Sequence, residues 1–180
     1  MPQYSDFIDR LLIQPKLLAR LCPSEPLQWE LPRRIREADQ AAIVGNRTVT
    51  DGNLFELLRG LLYYAVDDLD AAHRIFQDEK SDLGSYCHGM LHRREPDFDN
   101  ARYWFRRAGR LPFFQKLHGI AAEHSADMAR QSTWDPYLFT GECEQARHGA
   151  FEKTEELGKL QRAELDAVLA YLWPKATAYA

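Results

Sequence analysis

Apolar positions recur at helical spacing along nearly the whole chain, and no segment sustains a long strict alternation, so the sequence reads as all-α. The clearest stripe runs from Thr154 to Trp173, where Leu157, Leu160, Leu165, Val168, Leu169 and Leu172 share a face. It predicts a docking C-terminal helix that stops at Pro174. Only Arg47-Thr48-Val49-Thr50 looks extended. Helix starts are marked by Asp51 or Asn53, by Ser81 or Asp82, by Asp97, and by Asp135 followed by Pro136. Gly109 and Gly149 stand where helices should end. Pro15, Pro23, Pro26 and Pro32 break the first fifty residues into short pieces. The pattern gives a single domain over 1–180: a wrapping segment at 1–50, a two-unit helical repeat at 51–110, and further packing helices at 111–180.

The repeat is the most informative feature. Residues 53–77 align without gaps on residues 82–106 at an offset of 29. Leu54 falls on Leu83, Gly60 on Gly89, Leu62 on Leu91, Asp68 on Asp97, Ala72 on Ala101 and Phe76 on Phe105. Each unit is a helix, a turn around an Asp, and a second helix. The small residues let the paired helices approach closely, and the Phe fills the space between them.

This spacing of Gly, Ala and aromatic residues resembles the tetratricopeptide repeat over residues 53–109, with a degenerate third unit around Leu117-His118-Gly119-Ile120. The resemblance implies antiparallel helical hairpins stacked as an array. The chain departs from the family where bulky apolar residues precede the glycine, since Glu56, Arg59, Ser85 and His88 stand there. His92 also replaces the aromatic present as Tyr63 in the first unit. Leu54, Leu57, Leu61 and Tyr64 make the face that would line a tetratricopeptide groove apolar. That groove is expected to be filled by the protein's own N-terminal or C-terminal segment. The second unit, HG..HRRE.D..NA.YWFRR.G in form, also resembles a family of uncharacterised bacterial and fungal proteins, which implies no activity.

Candidate chemistry concentrates in the second unit. On a helix from Asp82 to Arg94, the core stripe of Leu83, Tyr86, Cys87, Met90 and Leu91 leaves Ser85, His88 and His92 on another face. A solvated or hydrogen-bonded structural role is one reading of His88 and His92. A polar ligand pocket with Glu95, Glu56 and Arg59 is another. A third is a metal site in which Glu95, Asp97 or Glu56 adds an oxygen. Arg93, Arg94, Arg102, Arg106, Arg107 and Arg110 form a basic run interleaved with Tyr103, Trp104 and Phe105. Its forks suit carboxylates or phosphates. The competing reading places Arg102, Arg106 and Arg110 on the outer face of an amphipathic helix, with Trp104 and Phe105 in the core. His118, His124 and His148 read as isolated surface or core groups, and Trp134 as a packing residue at a helix start.

Composition and absent motifs narrow the function. The 180 residues carry a net charge of -4, with 45% hydrophobic and 28% charged residues, which fits a globular chain and argues against a nucleic-acid binder relying on overall positive charge. Cys22, Cys87 and Cys143 are scattered, with no C-x-x-C, and fit a reducing compartment. The start of the chain lacks a basic region followed by an apolar core, and no apolar run reaches membrane-spanning length, so a cytoplasmic protein is expected. No P-loop, G-x-G-x-x-G, G-x-S-x-G or H-E-x-x-H occurs, and no cofactor is implied. The expected function is a binding or interaction module using Arg93, Arg94, Tyr103 and the His88/His92 face, with a protein or small acidic ligand as partner. The alternative is a small helical enzyme or metal-binding protein with a His/Glu pocket between helices.

Overall fold

The computed structural model describes residues 3–149 and 151–179. Met1 and Pro2, part of the start read for an export signal, lie outside the described residues. Three short helices, α1 (Asp6–Leu12), α2 (Glu30–Glu37) and α3 (Gln40–Val44), lead to a strand β1 (Arg47–Val49). Then come α4 (Gly52–Ala65), α5 (Leu69–Phe76), α6 (Asp82–Arg94) and α7 (Phe98–Ala108). After these follow α8 (Phe114–Ala121), α9 (Ala126–Ala129), α10 (Pro136–Arg147), α11 (Thr154–Ala176) and β2 (Thr177–Tyr179). The fold is all-α, with one two-stranded antiparallel ribbon that pairs Arg47 with Tyr179 and Val49 with Thr177. Among the described residues no helix is long and apolar enough to cross a membrane.

Side-chain caps set the helix starts. Asp51 accepts the amides of Asn53 and Leu54, Ser81 that of Gly84, Asp97 that of Asn100, and Asp135 those of Tyr137 and Leu138. α4 packs on α5 and α6 on α7 as consecutive hairpins, with α5 against α6 between them. Both hairpins close on the same contact. A Cβ on Gly60 would lie 2.5 Å from the Phe76 ring, and one on Gly89 would lie 2.7 Å from the Phe105 ring. Each missing methyl therefore makes room for the aromatic of the facing helix.

Three expectations need correction. A Cβ on Gly119 would meet nothing within 4 Å, so the segment around Leu117 does not repeat the glycine–aromatic contact. It forms α8 followed by the single-turn α9 instead. The C-terminal helix does not stop at Pro174 but continues to Ala176. Pro174 sits in the last turn, and Thr177 closes that turn by donating its amide and its hydroxyl to the Trp173 carbonyl, the latter at 2.8 Å. That extension delivers β2 to β1, where Arg47 bonds Thr177 and stacks over Tyr179 at 4.2 Å. The ribbon partner of β1 was hidden behind the proline. The third correction concerns α6, where every residue from Leu83 to Arg94 is buried, so the helix has no solvent face.

α11 lies along α4. Of the face expected to line a groove, Leu57, Leu61 and Tyr64 are fully buried and Leu54 is half-buried.

The glycine contacts give a direct test by thermal melting. Gly89→Ala is expected to cost about 1–3 kcal/mol, because the Phe105 ring cannot yield to the new methyl without leaving its packing. Gly119→Ala is expected to gain roughly 0.5–1 kcal/mol, as an exposed helical position with open space around it.

Candidate metal centre

α6 and α7 run antiparallel on either side of a corner at Glu95–Asp97, so residues equidistant from Pro96 face one another. His92 meets Asn100, whose Nδ2 is 3.1 Å from His92 Nε2. His88 meets Trp104, with the rings stacked at 4.1 Å. One helical turn apart, His88 and His92 stack on each other at 4.6 Å. From the opposite side α5 presents His73 edge-on to both rings, with centroids 4.9 and 5.0 Å away. One ring nitrogen from each of the three histidines lies within 4.8 Å of the other two. His88 and His92 are buried, whereas the His73 side chain keeps 33% of its surface exposed.

Glu95 organises the trio. Its Oε1 is 3.0 Å from His73 Nδ1 and its Oε2 is 3.1 Å from His92 Nδ1. An ionised carboxylate only accepts, so both Nδ1 atoms carry hydrogen, and in the neutral tautomer that this selects Nε2 presents the lone pair. The remaining contacts agree with this. His73 Nε2 accepts from His88 Nε2 at 3.1 Å, and His92 Nε2 accepts from the Asn100 amide, which also donates to Asp97 Oδ2 at 3.3 Å. His88 Nδ1 is buried without a partner. Burial, then the neighbouring His92 and His73, lowers the His88 pKa from 6.5 to about 4, so its ring is neutral near pH 7. Burial alone would raise Glu95, but hydrogen bonds from His92 and His73 outweigh it and hold the carboxyl below its usual value.

No family model, curated protein or solved structure matches this chain. The chemistry of the trio therefore rests on its own geometry. Imidazole nitrogens about 2.0–2.1 Å from a tetrahedral ion stand roughly 3.4 Å from each other. The 3.1 Å between His73 Nε2 and His88 Nε2 is close to that spacing. A carboxylate behind the ligand rings is the usual device for fixing metal-binding imidazoles in one tautomer and orientation.

The other predicted residues divide sharply. His88, His92 and Glu95 are brought together, with His88 and His92 buried and hydrogen-bonded. Sequence reasoning missed His73, Asn100 and the stacking role of Trp104. A usable signal existed: residues 73 and 88 are equidistant from the turn at Lys80–Ser81, as residues 88 and 104 are from Pro96. Glu56 and Arg59 do not join the trio. They pair with each other at 3.2 Å, and Glu56 lines a separate groove of about 460 Å³ with Arg74, Asp78 and Lys80. Tyr103 lies on the surface, 47% exposed and edge-on to Trp104.

Arg93 and Arg94 form no interaction surface. Both are fully buried. Arg93 forks onto Glu164 of α11, and Tyr86 donates to the same carboxylate at 2.7 Å while accepting from Trp134 Nε1 at 2.7 Å. Burial opposes the Arg93 charge, but Glu164 outweighs it and pushes the guanidinium pKa above its ordinary value. Arg94 pairs with Asp67, donates to the carbonyls of Tyr64 at 2.7 Å and Arg20 at 3.2 Å, and covers the Tyr64 ring. The outer-face reading holds for Arg102 and Arg106, but Arg110 lies beyond the end of α7 and Trp104, expected in the core, is half-buried. Arg102 pairs with Asp99 and Glu144, Arg106 and Arg110 are exposed, Arg107 sits over Trp104, and Phe105 is core.

Two measurements follow from these pairings. Glu164→Ala strands Arg93 without its anion and should lower stability by about 3–5 kcal/mol, whereas Arg93→Met with Glu164→Leu should recover most of that loss. In the metal-free protein, an unfolded chain protonates His88 near pH 6.5 while the folded chain resists until about pH 4. Acidification through that window favours unfolding. Melting temperature in chelator should fall from pH 6.5 to 4, and His88→Gln should flatten the slope.

Proposed function

We propose that this protein is a helical-hairpin binding module whose ligand is a divalent first-row transition-metal ion, held by His73, His88 and His92. One observation carries the reading: three imidazoles from two different hairpins converge, and a single carboxylate orients two of them from behind. An all-nitrogen donor set suits zinc, cobalt, nickel or copper, and offers little to magnesium or calcium, which take oxygen ligands. The bound ion would clasp α5 of the first hairpin to α6 of the second, within what we propose is a short tetratricopeptide-like pair.

Ligation requires the stacked His88 and His92 rings to splay from their 18° interplanar angle so that their nitrogens converge on one ion. His73 and His92 can use Nε2 while their Nδ1 hydrogens stay on Glu95. His88 gives up its bond to His73, and its hydrogen moves to Nδ1, so the three rings remain neutral ligands. The lowered proton affinity of His88 keeps it available at neutral pH.

Calorimetry and elemental analysis on purified protein should find one zinc ion per chain, with no binding of calcium or magnesium. Zinc should raise the melting temperature and chelator should reverse the rise. His73→Ala should abolish tight binding, and Glu95→Gln should weaken it by about 10–100-fold. A protein that takes up no stoichiometric ion, and melts identically with zinc and with chelator, would overturn the proposal.

A further inference from the structure

Resting on the metal reading, we propose that the ion's fourth coordination position is filled from solution, by a small carboxylate that Asn100 helps to hold. Among the described residues only the three histidines form a ligating group. Glu95 cannot serve as a fourth ligand without abandoning both imidazoles, because its two oxygens are committed to His73 Nδ1 and His92 Nδ1. Asp97 Oδ2 lies 3.8 Å from the same His92 Nδ1 and accepts from the Asn100 amide at 3.3 Å. A four-coordinate ion on three protein ligands keeps an open position, the arrangement of catalytic rather than structural sites.

The surroundings say from where that position is reached and what it prefers. Trp104 covers the His88 ring, and His88 and His92 are 4% and 5% exposed, so the open flank is that of His73, whose side chain is 33% exposed. Three neutral imidazoles add no charge and the Glu95 carboxylate behind two of them offsets only one of the ion's two positive charges, so the open position favours an anion. Asn100 adds a preference for oxygen. Its amide hydrogen, given to His92 Nε2 at 3.1 Å in the ion-free chain, is released once that nitrogen's lone pair turns to the ion. A carboxylate satisfies both demands, with one oxygen on the ion and the other accepting from Asn100. Asn100 is thus a positioning residue rather than a ligand. The corner that supports it is independently fixed, since Asp97 caps α7 through the Asn100 main-chain amide.

Cobalt(II) reports coordination through its visible absorption, so the test titrates sodium acetate into protein saturated with cobalt, with acetamide as the uncharged control. Acetate should change the spectrum saturably, and acetamide should not. In Asn100→Leu, read at cobalt concentrations that saturate the variant, acetate should bind roughly tenfold more weakly, the effect of losing a hydrogen bond to a charged group. Asn100→Asp places a carboxylate on the spot and should abolish the acetate response, so two variants probe the same position. A wild-type cobalt spectrum indifferent to acetate would overturn the open position while leaving the metal site standing. Equal acetate affinity in wild type and Asn100→Leu would overturn the role of Asn100. Failure to bind cobalt at all would remove both the site and this inference.

Discussion

A helix with no solvent face must neutralise every polar group it carries inside the protein, and α6 is such a helix. Between Ser85 and Arg94 it buries two hydroxyls, two imidazoles and two guanidinium groups. Burying an unpaired guanidinium costs several kcal/mol, so each arginine has to find an anion at a fixed place. Arg93 finds Glu164 on α11, and Arg94 finds Asp67 at the corner between α4 and α5. Asp67 has a φ of 66°, a left-handed conformation that an aspartate tolerates, and its buried carboxylate also takes Arg20 of the wrapping segment at 2.6 Å. These pairs decide where three remote parts of the chain meet α6. The hydrophobic packing could accept a shift or a rotation, whereas the ion pairs could not.

The same constraint shapes the histidine cluster. With its arginines pinned on one side, α6 cannot rotate, and His88 and His92 are held in place before any ligand arrives. Their polar atoms are met by the neighbouring hairpin elements. Glu95 at the corner accepts from two rings at once, and Asn100 supplies the matching donor. A single carboxylate so placed settles the tautomer of the whole network. His88 Nδ1 remains the one ring nitrogen of the trio without a hydrogen-bond partner, and the burial that isolates it also keeps it neutral.

Much of the scaffold was legible in the residues. Gly60 and Gly89, each twelve residues before an alanine and sixteen before a phenylalanine, announced two hairpins with one packing solution. Asp51, Ser81, Asp97 and Asp135 announced their own caps because capping is local. The errors arose where non-local contacts decide. The sequence reading placed Arg93 and Arg94 on an interaction surface and gave His88 and His92 a face apart from the core stripe, since charged groups normally face water. Only the positions of Glu164 and Asp67, 71 and 27 residues away, reverse that assignment. Pro174 looked like a stop because a proline removes a helix donor, yet Thr177 rebuilds the end from beyond it. His73 was overlooked for a different reason. It belongs to the first hairpin, and the cluster forms across the boundary between hairpins, which a motif search within either one does not cross.

That boundary explains why chemistry sits there at all. Within each hairpin the helices are drawn together by a glycine against an aromatic ring. Between the hairpins, α5 meets α6 without such a contact, and the interface is completed by polar rings instead. Two of the three imidazoles come from the pinned helix and the third from α5, whose His73 is the most exposed member. The cluster is therefore two-thirds built by the fold, and the proposed ion would hold α5 against it. A carboxylate at the Glu95 corner makes that final step cheap, because His73 already points its Nε2 inward while its Nδ1 is engaged. The buried ion pairs of α6 are in this sense the foundation of the site, although neither arginine touches it.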